Sequence, residues 1–438
     1  MPSRAKLHYD NLPHPKVVVV GGGFAGLELV QGLSGQPYKV LLLDRQNHHC
    51  FQPLLYQVAT ASLSADSIAH PFRRTVGPMS NVAFRMANVT AVDADKKLVY
   101  TDHGAFEYDI LILATGSRTN FFGMRDLEAT AMQLKNISQA LDIRSDFLQD
   151  FEAALYLHDE AEKRSYLNFV IVGAGPTGVE LAGALAEIKR TVLKREYREM
   201  ESEWMRIVLI DGNDRVLQHF SEESSADAYR YLRELGVEVM LNTRVTGCDD
   251  DRLMLGDGTT IDTHTVIWAA GVIGAAVPGL EGAMNERSGR YNCDEHGRVG
   301  GLDGIYAVGD VASYAGDPEW PKGHPQVATV AIQQAQHLVA HLKARANGGR
   351  EKPFRYRNKG SMATIGRRRA VVDLGKRQFG GTFAWLLWMF VHVMQLVSFR
   401  NRFMVLMNWA WKYMSWRNTI RLIIRPYVRR SNTDTAGA

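Results

Sequence analysis

A chain of 438 residues, 46% hydrophobic and 22% charged, can bury a sizeable core and is not a disordered polymer; its length suggests two or three domains. The net charge of +4 says little about partners by itself. The three cysteines, Cys50, Cys248 and Cys293, are widely separated and in no CxxC spacing. They exclude a disulfide framework and a Cys-based metal site, and no metal is expected.

The N-terminal residues lack the apolar core of a secretory signal and read as a loose arm. Residues 16–20 (KVVVV) then form an apolar run, followed by Gly21-Gly22-Gly23-Phe24-Ala25-Gly26 and the helix-like LELVQGL. Gly21 allows a tight turn, Gly23 lets backbone approach a pyrophosphate, and Gly26 permits close helix–strand packing. The following helix start offers free N–H groups and a positive dipole end. The next strand, residues 39–43, ends at Asp44, placed to accept the hydroxyls of an adenosine ribose. Cys50 stands alone in NHHCFQPLLYQVA and reads as a small buried residue. Residues 108–116 (YDILILATG) are a buried strand ending in Ala114-Thr115-Gly116, and residues 126–165 read as helical connectors.

Residues 169–172 and Gly173-Ala174-Gly175-Pro176-Thr177-Gly178 repeat the first arrangement, opening the helix-like VELAGALAEIK. The matching acid is Asp211, after the strand 206–210; the charged stretch 186–206 lengthens the usual spacing. A carboxylate at Asp211 would repel a 2′-phosphate and favours NADH over NADPH; the alternative is a plain strand-end turn residue. Two such units, each a β-branched run before a helix, predict an α/β chain with two Rossmann-like dinucleotide-binding domains. VEVMLNTRV and LMLGDGTTIDTHTVIWAAG suggest a small antiparallel addition to the second unit, closed by Trp268-Ala269-Ala270-Gly271. Residues 304–312 (GIYAVGDVA) end a further strand at Gly309-Asp310, where a helix cap is the alternative reading of Asp310.

The last module differs in composition. Between Asp373 and Asp434 there is no acidic residue, while ten Lys or Arg and five of the eight tryptophans fall there. Residues 383–399 (FAWLLWMFVHVMQLVSF) are uncharged but short for a bilayer span, and His392, Gln395 and Ser398 would be costly inside one. Asn408, Lys412, Ser415 and Thr419 form a polar stripe, flanked by Arg400, Arg402, Arg417, Arg421, Arg425, Arg429 and Arg430. Apolar faces, tryptophans and unopposed cations predict helices lying on an anionic lipid surface, with a homodimer interface as the alternative and nucleic acid disfavoured.

With its ATG and GD turns placed around a second glycine motif, the chain resembles the two-dinucleotide-domain flavoprotein reductases. There the ATG turn approaches the first nucleotide, and the GD aspartate holds the flavin's ribityl chain and phosphate. The resemblance implies FAD, bound non-covalently at Gly21, Gly23, Gly26, Asp44, Thr115, Gly116, Gly309 and Asp310, and NADH at Gly173, Gly175, Gly178, Glu180 and Asp211. The paired redox cysteines of the disulfide reductases and sulfide oxidisers are missing.

Residues 51–59 (FQPLLYQVA), 173–183 (GAGPTGVELAG), 327–334 (VATVAIQQ), 359–366 (KGSMATIG) and the Trp-rich end further resemble the type II NADH dehydrogenases, single-chain, non-pumping NADH:quinone oxidoreductases. The likeness runs from about residue 16 to residue 424. It implies a quinone entrance at Ala328, Ala331 and Gln333, with Thr329 where the family has Gln. It also implies a nicotinamide-facing Glu180 and a charge-stabilising Lys359; the bland readings are a helix packed on the sheet, an acid in a helix's first turns and a surface lysine. The implied layout is an FAD domain at 16–125 and 272–375, a nested NADH domain at 126–271, and membrane-anchoring helices at 376–430. The implied protein is a peripheral enzyme of the cytoplasmic membrane face. Rivals are a soluble NAD(P)H reductase of a carrier protein and a low-turnover redox sensor.

Overall fold

The computed structural model describes residues 7–249, 251–415, 422–423 and 425–429. The chain divides into two compact units: Met1–Cys50, His70–Arg118 and Val272–Asn358 form the first, and Phe51–Ala69, Thr119–Gly271 and Lys359–Ala438 the second. The longer helices are α1 (Phe24–Leu33), α2 (Ile137–Ala154), α3 (Pro176–Ile188), α4 (Glu222–Glu234), α5 (Ala328–Ala346), α6 (Gly381–Gln395) and α7 (Phe399–Ser415).

In the first unit a five-stranded parallel sheet runs Ile305–Ala307, Ile110–Leu113, Lys16–Val20, Lys39–Asp44, Val82–Met86. Its central strand buries every residue after Lys16, because α1 and α5 pack together on one side and a core containing Val18, Val20, Leu111 and Leu113 fills the other. The connection from Val82–Met86 to Ile110–Leu113 carries an antiparallel meander, Val89–Asp93, Leu98–Thr101 and Gly104–Glu107.

The second unit repeats this plan with the parallel order Met132–Gln133, Thr265–Trp268, Asn168–Val172, Arg206–Ile210, Glu238–Met240. Two sequence expectations change here. Glu238–Met240 is a parallel edge strand and not part of an antiparallel addition, which is confined to Val245–Asp249, Arg252–Leu255 and Thr260–Asp262. Residues 126–165 contribute an edge strand, Met132–Gln133, beside the helices, since that edge would otherwise be left unpaired.

The C-terminal part begins as a three-stranded antiparallel sheet, Ser361–Thr364, Ala370–Leu374 and Arg377–Gly380. It packs on α3, α4 and α6 within the second unit. The expected break at residue 375 therefore falls inside a hairpin, and 359–375 groups with the second unit's sheet. Residues 51–69 join that unit too, through the short helix Leu55–Ala59 against α2 and α3. Cys248 and Cys293 lie buried in strands.

Candidate functional site

In the first unit, Gly21 has φ +98°, and a Cβ there would stand 2.4 Å from the Ala114 carbonyl oxygen. A Cβ on Gly26 would lie 1.8 Å from the Gly21 carbonyl oxygen, so strand and helix touch backbone to backbone. Gly23 differs: nothing lies within 4 Å of its Cβ position. It heads α1 without a side-chain cap and with no acid in the first turn, whereas Asn136 caps α2 and Ser221 caps α4. Open space over uncapped first-turn amides is what a pyrophosphate requires. Asp44 Oδ2 accepts the Gly22 amide at 2.6 Å and Oδ1 the Gln46 amide at 2.7 Å. Burial raises its pKa against the pull of those two amides.

The two further turns meet this cradle. Thr115 Oγ1 donates to the Ala275 carbonyl at 2.6 Å, and Gly116 has φ +72°. Ser117 Oγ donates to Asp310 Oδ2 at 2.7 Å, and Gly309 (φ +74°) faces Ala331 of α5. The Gly309 amide donates to Gln334 Oε1 at 2.7 Å, while the buried Gln334 Nε2 has no hydrogen-bond partner. That orphaned amide beside the GD turn fits a bound flavin that offers it an acceptor. The residues present suit FAD.

Gln334 was missed by sequence reading, which named its neighbour. Gln333 is turned away: its Nε2 donates to the Arg357 carbonyl at 3.0 Å and its Oε1 accepts the Arg357 amide at 3.1 Å. Both ends of its amide hold the 357 backbone. Ala331 is buried, Ala328 half-buried, and Thr329 Oγ1 pairs with the Tyr356 hydroxyl at 3.0 Å.

The second unit reproduces the cradle. Gly173 has φ +108°, a Cβ on Gly178 would lie 1.9 Å from the Gly173 carbonyl oxygen, and Gly175 has nothing within 4 Å and heads α3 uncapped. Asp211 Oδ2 accepts the Ala174 amide at 2.5 Å, and its Oδ1 accepts from the Asn213 amide and side chain.

Glu180, on α3, is buried, and Oε1 accepts the Thr364 amide at 3.4 Å. Burial pushes its pKa up to about 8, opposed by that amide and by the Trp388 indole, which lies near without closing a hydrogen bond. Beside it a cavity of about 40 Å³ is lined by Tyr56, Gln57, Thr364, Trp385, Trp388 and Trp409, among others. Trp409 Nε1 donates to Gln57 Oε1 at 2.8 Å, and Gln57 Nε2 to the Tyr56 hydroxyl at 2.9 Å. Trp388 stacks on His392, whose pKa burial lowers to about 4. FQPLLYQVA carried the resemblance, but its lining role was not assigned. Lys359 is exposed, two residues before Ser361–Thr364. Cys50 is half-buried, and burial raises its thiol to about 12, so it is no thiolate nucleophile.

Among the described residues, three of the C-terminal arginines face acids. Arg429 Nε meets Asp146 at 2.8 Å and its Nη2 meets Asp150, Arg425 pairs with Asp142, and Arg400 lies 3.6 Å from Asp66. Arg402 donates to the Leu396 carbonyl at 3.0 Å. Of the polar stripe, Asn408 points inward, 3.5 Å from Ser67 Oγ. The Lys412 and Ser415 side chains, and Arg417, Thr419, Arg421 and Arg430 altogether, lie outside the described residues.

The profile of the pyridine nucleotide-disulphide oxidoreductases matches residues 15–335, and that of the NDH2 C-terminal domain residues 358–418. The chain is 36% identical to the type II NADH:quinone oxidoreductase NdhA of Mycobacterium tuberculosis, over 91% of this chain and 87% of that protein. It is 34% identical to Ndh of the same organism, over 92% and 89%. The NDH2 of Plasmodium falciparum, solved with NADH, shares the fold with a TM-score of 0.87 at 22% identity, covering 94% of this chain and 100% of that one. Sequence and architecture agree: the chain belongs to the type II NADH:quinone oxidoreductases, within the pyridine nucleotide-disulphide oxidoreductase family.

Proposed function

We propose that the chain oxidises NADH and reduces a membrane quinone without pumping protons, as a peripheral enzyme seated on an anionic lipid surface at the cytoplasmic face. The observation that carries this reading is the duplicated glycine turn, uncapped and gripped by an acid in each unit. The first cradle suits FAD, through Gly21, Gly23, Gly26, Asp44, Thr115, Gly116, Gly309 and Asp310. The second suits NADH, through Gly173, Gly175, Gly178 and Asp211. Bound FAD supplies the redox chemistry, taking hydride from NADH and passing two electrons on to the quinone.

The chain's own residues do the rest. Asp211 would place its carboxylate against a 2′-phosphate and so selects NADH. Glu180, with a pKa of about 8, holds its proton at neutral pH and can donate it to, and reclaim it from, a carbonyl-type oxygen. Tyr56, Trp385, Trp388 and Trp409 supply the aromatic part of the neighbouring cavity's wall. That cavity, within the second unit, is assigned to the quinone.

Support for the lipid surface comes from which way the last helices face. On α6, Phe383, Leu386, Phe390 and Met394 are exposed at helical spacing, opposite the buried Trp385 and Trp388. On α7, Phe403, Leu406, Met407 and Trp411 are exposed, while Asn401 and Trp409 are buried. Such exposed apolar stripes on two consecutive helices suit a medium other than water. No helix among the described residues is long and apolar enough to cross a membrane. A homodimer would draw on the same apolar residues.

Anaerobic mixing with NADH should bleach the flavin, and added quinone should restore its colour. Flavin that stays oxidised would overturn the reading. Flotation with anionic vesicles should carry the protein upward as single copies; paired copies that ignore vesicles would assign this face to the dimer.

A further inference from the structure

At the end of α5 far from the 328–334 motif, three imidazoles crowd one carboxylate, all in the first unit. His337 and His341 stand one turn apart on the helix. His296 comes from the turn after the strand Arg290–Cys293, and Glu351 from the segment after α5. His296, His341 and Glu351 each offer a ligand atom within 4.8 Å of the other two, the one such group among the described residues.

Beside the Arg298–Glu351 ion pair, the group has the ligand types and spacing a metal needs. The two Glu351 oxygens are divided: Oε2 accepts Arg298 Nη2 at 2.6 Å, and Oε1 lies 3.5 Å from His341 Nε2. Tetrahedral zinc, with bonds of about 2.0–2.1 Å, sets neighbouring ligand atoms about 3.4 Å apart, so this pair already has the spacing. His296 Nδ1 lies 3.1 Å from the Lys352 carbonyl. A ring that donates from Nδ1 presents a lone pair at Nε2, the arrangement that orients ligating histidines, just as Arg298 orients the carboxylate. His341 is buried, and its Nδ1 has no hydrogen-bond partner. Two imidazoles with one carboxylate favour zinc and its neighbours over magnesium or calcium, which take oxygen ligands.

We propose that His296, His341 and Glu351 form a binding site for a divalent cation of the zinc class. The fourth position is left to solvent, and the bound ion fastens the segment after α5 to that helix and to the 294–298 turn. No metal was expected from the sequence, because the three ligands are far apart in the chain and no motif spacing joins them.

The test uses untagged, flavin-loaded protein, stripped with a chelator and then dialysed against zinc chloride with magnesium in excess. One zinc per flavin should remain, and cobalt in its place should give the visible absorption of a tetrahedral site. His296→Ala and Glu351→Gln should each weaken zinc retention by roughly tenfold or more at unchanged flavin content. His296 is only half-buried, so its variant remains informative if the buried His341→Ala fails to fold. Zinc retained equally by wild type and by the His296→Ala/Glu351→Gln double variant, or not retained by wild type, overturns the proposal.

Discussion

Glu180 Oε1 accepts the backbone amide of Thr364 at 3.4 Å, tying the helix of the second glycine motif to the first strand of the C-terminal sheet. This one amide does not offset burial, and the carboxyl titrates near 8. Its folded pKa lies above its unfolded one, so the folded state binds the extra proton between about pH 4.5 and 8. Stability from this group is complete below that window and is lost as pH rises through it. Glu180→Gln should remove this dependence, unfolding at higher temperature than wild type at pH 8 and at a similar temperature near pH 4.5. The same variant should lose the limb near pH 8 in the kcat/KM profile for NADH. Parallel thermal melts and pH–rate profiles check both.

Gly23 and Gly26 separate binding from folding. Gly23→Ala adds a methyl to open space, so the protein should fold and melt nearly as wild type, yet retain less flavin. Gly26→Ala drives a methyl into the Gly21 carbonyl and should destabilise by roughly 1–3 kcal/mol or more. Flavin-to-protein ratios beside melting temperatures distinguish them; equal loss of stability in both would remove Gly23 from the cradle.

Asp211→Ala withdraws both the ribose acceptor and the partner of the Ala174 amide. The preference for NADH over NADPH should narrow by about tenfold, near 1.4 kcal/mol. An unchanged ratio of kcat/KM values would show that the acid only holds the turn.

The two glycine turns and their acids were legible because strand, glycine, helix and acid follow one another along the chain within each unit. What was not legible depended on rotation or distance. Gln333 and Gln334 differ by one step around α5, and no local pattern tells which side faces the GD turn. Glu238–Met240 alternates as an antiparallel strand would, yet Arg206–Ile210 beside it made it parallel. The C-terminal arginines looked unopposed because their acids, Asp142, Asp146 and Asp150, lie on α2, far back in sequence.

Arg429 therefore belongs to the fold. Burial, with Asp146 alongside, raises the Asp150 carboxyl to about 7, and Arg429 opposes the rise. Arg429→Ala should destabilise by roughly 3–5 kcal/mol at pH 8, and by less at pH 6, where the stranded carboxyls take up protons. Chemical denaturation at the two pH values measures the difference. An equal loss at both would mean the pair is not carrying charge.

The exposed face of α6 and α7 gives the last prediction. Phe390→Glu with Phe403→Glu, both on exposed positions, should cut vesicle binding by tenfold or more while leaving flavin content and ferricyanide reduction intact. Binding that survives the double change would move the lipid contact elsewhere.

A Cβ on Gly183 would come within 2.7 Å of the Gly366 amide nitrogen, so α3 and the C-terminal sheet meet with no side chain between them. Trp388, two turns into α6, completes the wall around Glu180. Shearing the protein at residue 376, a natural way to make a lipid-free version, would thus cut a hairpin in half and unroof the acid. The part proposed to grip the lipid and the part proposed to hold the nicotinamide are one piece of masonry, so a version without the lipid contact would have to be carved from the outer faces of α6 and α7 instead.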